Sequence, residues 1–123
     1  MKNVLIVDND LGFVYWLAEV LVGAKYQPWP ASNAMDAATI IGRRHLAPLG
    51  LLVVNPSLRG VSQLIQRLRR NQPDLKVLAV ASHNDKVPGV NARLERPNPD
   101  DVSAKQKWAR EVGRIVSGVR RAA

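Results

Sequence analysis

Four short clusters hold the residues that could do chemistry: Asp8, Asn9 and Asp10; Asn55 with Ser57; the Ala81-Ser82 pair; and Arg96. Each follows an apolar run. Together they bring acids, amides, a hydroxyl and a cation, and several kinds of chemistry fall away at once. The chain has no cysteine, which excludes a disulfide scaffold, a Cys-type zinc site and a thiol nucleophile. His45 and His83 are too few and too isolated for a metal site or a triad. Ser57 and Ser82 lack a positioned base. No glycine-rich loop follows the first apolar run, and the acidic Asp8-Asn9-Asp10 would repel phosphate. The reading is that the protein is not an enzyme.

The elements that must position these residues alternate in type. Val4 to Val7 is too short for a helix and reads as a strand buried on both faces. Leu11 to Ala24 has apolar residues at helical spacing (Phe13, Leu17, Val20, Leu21, Ala24), with Gly23 near its end. Tyr26 to Ala31 is a weaker strand. Pro28 and Pro30 remove two ladder donors and send it to a sheet edge. Ser32 or Asn33 can cap a second helix, through about Arg44.

Leu49 to Val54 and Val77 to Ala81 read as two further buried strands. Between them Val61, Leu64, Ile65 and Leu68 form a helical stripe, closed by Gln72-Pro73. Residues 83–91 show no period, and Pro88-Gly89 opposes a helix there. Ala92 to Glu95 is a short last strand. Asn98-Pro99-Asp100-Asp101 is expected to open the last helix, with Asn98 as its cap. Trp108, Val112, Ile115, Val116 and Val119 form that helix's apolar stripe.

Repeated strand–helix units with wholly apolar strands imply a parallel sheet covered on both faces. Right-handed crossovers then favour a flavodoxin-like α/β three-layer sandwich, a five-stranded sheet in the order 2-1-3-4-5, its fourth helix short or missing. The 123 residues make one domain, 1–123. In such sheets ligands sit outside the carboxyl ends of the strands, where all four clusters fall.

Val7 to Asp10, Leu51 to Leu58, Val77 to Ser82 and Glu95-Arg96-Pro97 together resemble the CheY-like receiver domains of bacterial response regulators, in the right order along nearly the whole chain. Ala31 to Ala34 with Ala37-Ala38 also resembles that family's passage from strand 2 to helix 2. The resemblance implies a place in two-component or phosphorelay signal transduction. It also implies a phosphoacceptor carboxylate after strand 3, an acid pair holding Mg²⁺ after strand 1, a hydroxyl after strand 4, and a lysine after strand 5.

Position by position, most of that machinery is replaced. The acceptor position is Asn55, which has no nucleophilic carboxylate. The acid pair is Asp8-Asn9, with Asp10 the one neighbouring acid that could compensate. The hydroxyl position is Ala81, with Ser82 one residue late and so on the opposite face. The lysine position is Arg96, and the switch aromatic of strand 5 is Arg93. The expectation is a degenerate pseudo-receiver, with Mg²⁺ binding weak or absent and no other cofactor.

Charge adds two surfaces. The net charge is +8. Residues 1–42 carry a net −2 and residues 43–123 a net +10, and a basic half suggests an anionic partner. Lys107, Arg110, Arg114 and Arg121 recur at helical spacing on the last helix. Arg67, Arg69 and Arg70 add to them from the third helix, and Arg43 and Arg44 from the end of the second. No base-reading motif or stacking aromatic accompanies these cations, so an acidic protein partner is preferred to nucleic acid. The first helix is apolar nearly all round: Val14, Tyr15, Ala18 and Val22 lie off its core face. That second face suggests an interface with a signalling protein or a second copy, as a homodimer; packing by the last helix is the plainer alternative.

The run from Leu11 to Ala24 is short for a membrane span and contains Glu19. Asp8 and Asp10 stand where a signal peptide would be basic. The expected location is cytoplasmic. The expected protein is a stand-alone receiver-like module acting by protein contact without phosphorylation. The alternatives are an atypical receiver still switched by a kinase or small ligand, and a basic nucleic-acid-associated adaptor.

Overall fold

The computed structural model describes residues 1–81, 87–98 and 100–118. Five parallel strands form one sheet in the order β2-β1-β3-β4-β5: β1 Asn3–Val7, β2 Gln27–Ala31, β3 Leu51–Val54, β4 Val77–Val80 and β5 Ala92–Leu94. Helices α1 (Leu11–Gly23), α2 (Ala34–Arg44), α3 (Val61–Asn71) and α4 (Ala104–Ser117) cover it. The side-chain alternation of a strand sorts the core into two layers. Val4, Ile6, Leu51, Val53, Leu78 and Val80 pack with α1 and α4 on one side. Leu5, Val7, Leu52, Val54, Val77 and Ala79 pack with α2 and α3 on the other. The expected architecture and strand order are therefore present. Among the described residues no helix lies between β4 and β5, and none is long and apolar enough to cross a membrane.

The two prolines of β2 pair with Val4 and Ile6 of β1 at the sheet edge, where a missing donor leaves no inner ladder broken. Asn33 caps α2, its side-chain oxygen accepting from the Asp36 amide at 2.8 Å. Gly23 is the last residue of α1, as expected, but the left-handed turn beyond it falls on another residue. Lys25 takes the left-handed conformation (φ 72°), while the Tyr26 and Lys25 amides donate to the Leu21 and Val22 carbonyls. Those two bonds close the helix whatever side chain stands there.

Two boundaries differ from the sequence reading by two residues or more, each where a side chain takes over backbone hydrogen bonds. β3 begins at Leu51 rather than Leu49. The Gln72 amide accepts from the Leu49 N–H at 2.9 Å and donates to its carbonyl at 2.8 Å, in place of a neighbouring strand. Gly50 then passes so close to β1 that a Cβ would lie 2.8 Å from that of Lys2.

Helix α4 begins at Ala104, and Asn98 does not cap it. Asn98 accepts from the Asp100 amide at 3.0 Å. Asp101 accepts from the Ser103 hydroxyl and amide at 2.6 and 2.9 Å. Such local turns compete with helix, and the Ser103 bonds hold the Asp101 carboxyl below the usual carboxylate range. Of the expected apolar stripe, Trp108, Val112 and Ile115 are buried and Val116 is half-buried; Val119 lies outside the described residues.

The short link into β5 is pinned by Arg69. Its guanidinium donates to the Leu75 and Gly89 carbonyls and to Asn91. Asn91 in turn accepts from the Val77 amide at 2.7 Å.

Candidate functional site

Sheet pairing continues one residue past the strands and lines up the site. The Asp8 amide donates to the Ala31 carbonyl at 3.1 Å, Asn55 to Val7 at 2.9 Å, and Ala81 to Leu94 at 3.0 Å. Val7 pairs with Val54, so Asp8 and Asn55 stand side by side at the carboxyl edge.

The Asp8 carboxylate is 1% exposed. Its Oδ1 accepts from three donors: the Asp10 amide at 3.1 Å, Asn55 Nδ2 at 3.3 Å and Arg96 Nη2 at 3.1 Å. Its Oδ2 is buried and lies 2.9 Å from the same Nη2, yet has no aligned hydrogen bond. One guanidinium nitrogen therefore lies close to both oxygens and hydrogen-bonds only Oδ1. Arg96 Nη1 reaches Asp10 Oδ2 at 3.0 Å, so a single guanidinium bridges two carboxylates, and the cluster carries a net charge of −1. Asp10 also caps α1, its Oδ1 accepting from the Phe13 amide at 3.2 Å.

Two further contacts fix this arrangement. Asn55 Oδ1 accepts from the Ser57 amide and hydroxyl at 3.0 and 2.7 Å. With its oxygen so used, the amide must turn Nδ2 toward Asp8. The Arg96 Cζ lies 5.2 Å from the centre of the Phe13 ring, in reach of cation–π attraction. Phe13 packs in turn on Trp16 and Trp108.

The structure thus brings Asp8, Asp10, Asn55 and Arg96 together. Asn9 is exposed. Ala81 is half-buried and shares the rim of an open cleft of about 420 Å³ with Asn55, Ser57 and Arg96. Ser82 and His83 lie outside the described residues. Arg93 is exposed in mid β5 and, with Ala81, borders a neighbouring cleft. Sequence reasoning missed Ser57 as the residue that orients Asn55, and Phe13 as the ring under Arg96. The Asn-Pro-Ser spacing was a signal for the first; nothing local signalled the second.

The expected α1 interface is corrected at one position. Val14 is only 2% exposed, because it lies three residues before Leu17 and seven before Leu21 on the face packed against the sheet. The outward row is Leu11, Tyr15, Ala18 and Val22, spaced four, three and four apart. Tyr15 is 67% exposed, Leu11 and Val22 are 59% exposed, and Ala18 is half-buried. Leu11 extends the row by one position at its start. Helix α4 packs on α1 through Trp108 and Trp16 and leaves this row uncovered.

The basic stripe of α4 is also narrower than expected. Lys107 and Arg110 are exposed, but Arg114 pairs with Glu111 on its own helix. Arg121 lies outside the described residues. Arg69 is spent on the β5 link.

No family model and no curated protein matches the sequence. Solved structures do. A putative response regulator from Chloroflexus aurantiacus is 24% identical, with a TM-score of 0.74 over 94% of this chain and 98% of that one. The non-phosphorylated HemR receiver domain from Leptospira biflexa is 18% identical, with a TM-score of 0.75 over the whole of both chains. NtrX from Brucella abortus, solved in complex with ATP, is 17% identical, with a TM-score of 0.76 over 95% of this chain and only 27% of NtrX. At such identities the shared feature is the fold, and this chain has the CheY-like receiver fold.

The packing of Asn55 on Asp8 can be tested through charge. Asn55→Asp replaces the amide donor with a second carboxylate and should cost about 1–3 kcal/mol in urea unfolding at neutral pH. A like-charged partner raises carboxyl pKa values, so the gap between variant and parent should narrow as pH falls through the carboxylate range. A variant as stable as the parent at neutral pH would show that the two side chains do not interact.

Proposed function

We propose that this protein is a receiver-like signalling module that works by protein–protein contact, in the cytoplasm, without phosphorylation. The observation that carries the reading is the Arg96 guanidinium lodged between Asp8 and Asp10, beside an amide at position 55. An amide cannot form an acyl phosphate. The Mg²⁺ that the resemblance implies also does not fit. Asn55 turns its nitrogen, not its oxygen, toward Asp8, and a divalent ion there would face a cation bonded to both acids, whereas Mg²⁺ needs an octahedron of oxygen ligands. The receiver domains that share this fold support a place in two-component signalling.

The partner we favour is a signalling protein, or a second copy of the chain, seated on Leu11, Tyr15, Ala18 and Val22. A helix with one apolar face in the core and a second facing out is the feature behind that choice. A basic nucleic-acid adaptor is the weaker reading, since Arg69 and Arg114 are engaged within the protein. A receiver still switched by a kinase or small ligand is the alternative that phosphoryl-donor treatment would uncover.

Acetyl phosphate with Mg²⁺ should add no phosphoryl group to the intact mass; a phosphoprotein would overturn the phosphorylation-independent reading. The Tyr15→Lys/Val22→Lys double variant should fold normally and lose self-association in light scattering or capture of its signalling partner. Unchanged assembly and partner binding would remove α1 as the docking face.

A further inference from the structure

We propose that the groove between α2 and α3 binds an acidic peptide segment of a partner protein. An apolar side chain of that segment would lie on the groove floor, and its carboxylates on Arg43, Arg59, Arg67 and Arg70. This surface is across the sheet from the α1 row, and the inference rests neither on that row nor on the state of Asp8.

The groove follows from side-chain size. Helix α2 fully buries only Ala37. On its flank toward α3 stand Ala34 and Ala38, four residues apart and too small to fill the space between two helices. At one end the helices nearly touch. Gly60 has φ 83°, and a Cβ there would lie 3.3 Å from that of Ala34. Beside that contact lies an open cleft of about 550 Å³, floored by Ala34, Ala38 and Leu64 and rimmed by Met35, Gln63 and Arg67. Met35 is 79% exposed, a flexible apolar side chain of the kind that adapts to a partner's surface.

Charge decides what fits. Arg43, Arg59, Arg67 and Arg70 are exposed and, among the described residues, make no ion pair or side-chain hydrogen bond. Arg67 lines the cleft and Arg59 precedes Gly60. Arg43 follows Thr39 by one turn, and Arg70 follows Arg67 by one turn. The one acid within α2 and α3 is Asp36, which accepts from Asn33 and Ser32 at the α2 cap. Arg69, Arg96 and Arg114, by contrast, are held in internal bonds. Free guanidiniums around an apolar floor match carboxylates around an apolar side chain, since the guanidinium fork fits a carboxylate with two hydrogen bonds. A nucleic-acid strand would call for stacking aromatics, and none lines this cleft.

The probe is a fluorescein-labelled peptide in which Asp and Glu flank a central Leu-Phe pair, titrated into the full chain at low and at physiological salt. Anisotropy should rise saturably, and affinity should fall as salt rises. Arg43→Glu/Arg67→Glu should weaken binding about tenfold or more. Met35→Ser should weaken it without altering the salt dependence. Lys25→Glu/Lys105→Glu makes the same change of net charge on the α1–α4 side, and at physiological salt it should bind as the native protein does. In the native protein the peptide should shift the methyl NMR signals of Ala34, Ala38 and Leu64.

No saturable binding at low salt would overturn the inference. So would an oligonucleotide held as tightly as the peptide, an equal loss from both charge-reversed pairs, or methyl shifts confined to another face. The methyl map needs no variant, so it decides even if a charge-reversed pair fails to fold.

Discussion

A carboxylate buried at the end of the first strand is the constraint from which the rest of this structure follows. Asp8 sits at the carboxyl edge of the sheet, just past the buried apolar run Val4 to Val7 and beside the wholly apolar β3, with almost no water to share its charge. Its compensation is drawn from far along the chain: the Asn55 amide, 47 residues on, and the Arg96 guanidinium, 88 residues on. The sheet order sets β3 and β4 between β1 and β5. The ion pair therefore closes across the ends of four strands and ties the first to the last. Asp10 joins the same cation to the first turn of α1, so helix, sheet and site share one electrostatic knot.

That knot bears directly on function. In this fold the carboxyl edge is where ligands and chemistry are found, and here its buried carboxylate is paired with the chain's own Arg96. Ser57 uses up the Asn55 oxygen and Arg96 spans both acids. What remains open to a partner is on the surface: an apolar row on α1, and cations on α2, α3 and α4 that are fewer than the net charge of +8 suggests. Arg69, Arg96 and Arg114 all serve internal bonds.

Much of the fold was legible in the sequence, because its strands are uninterrupted apolar runs and its helices keep a 3.6-residue stripe. The prolines of β2 even marked its place at the edge. What escaped were positions where a side chain displaces regular backbone bonding: Gln72 on Leu49, Asn98 and Asp101 ahead of α4, and Arg69 on the link into β5. Val14 was misplaced for another reason. On a helix apolar on both sides, composition does not show which residues belong to the core; only the position of the sheet decides. In the site, the residues at the strand ends were legible because topology gathers them there. The bond of Arg96 to both acids was not, since sequence carries no register between residues 8 and 96.

The most direct measurement is side-chain NMR of the Arg96 guanidinium in the native protein. A guanidinium clamped between Asp8 and Asp10 should give separate, slowly exchanging Nη proton signals. Rotation about its Cζ–Nη bonds should be hindered well beyond that of exposed arginines such as Arg67 or Arg110. A single averaged, fast-exchanging signal for Arg96 would mean that the acid site is open, and would contradict the central claim.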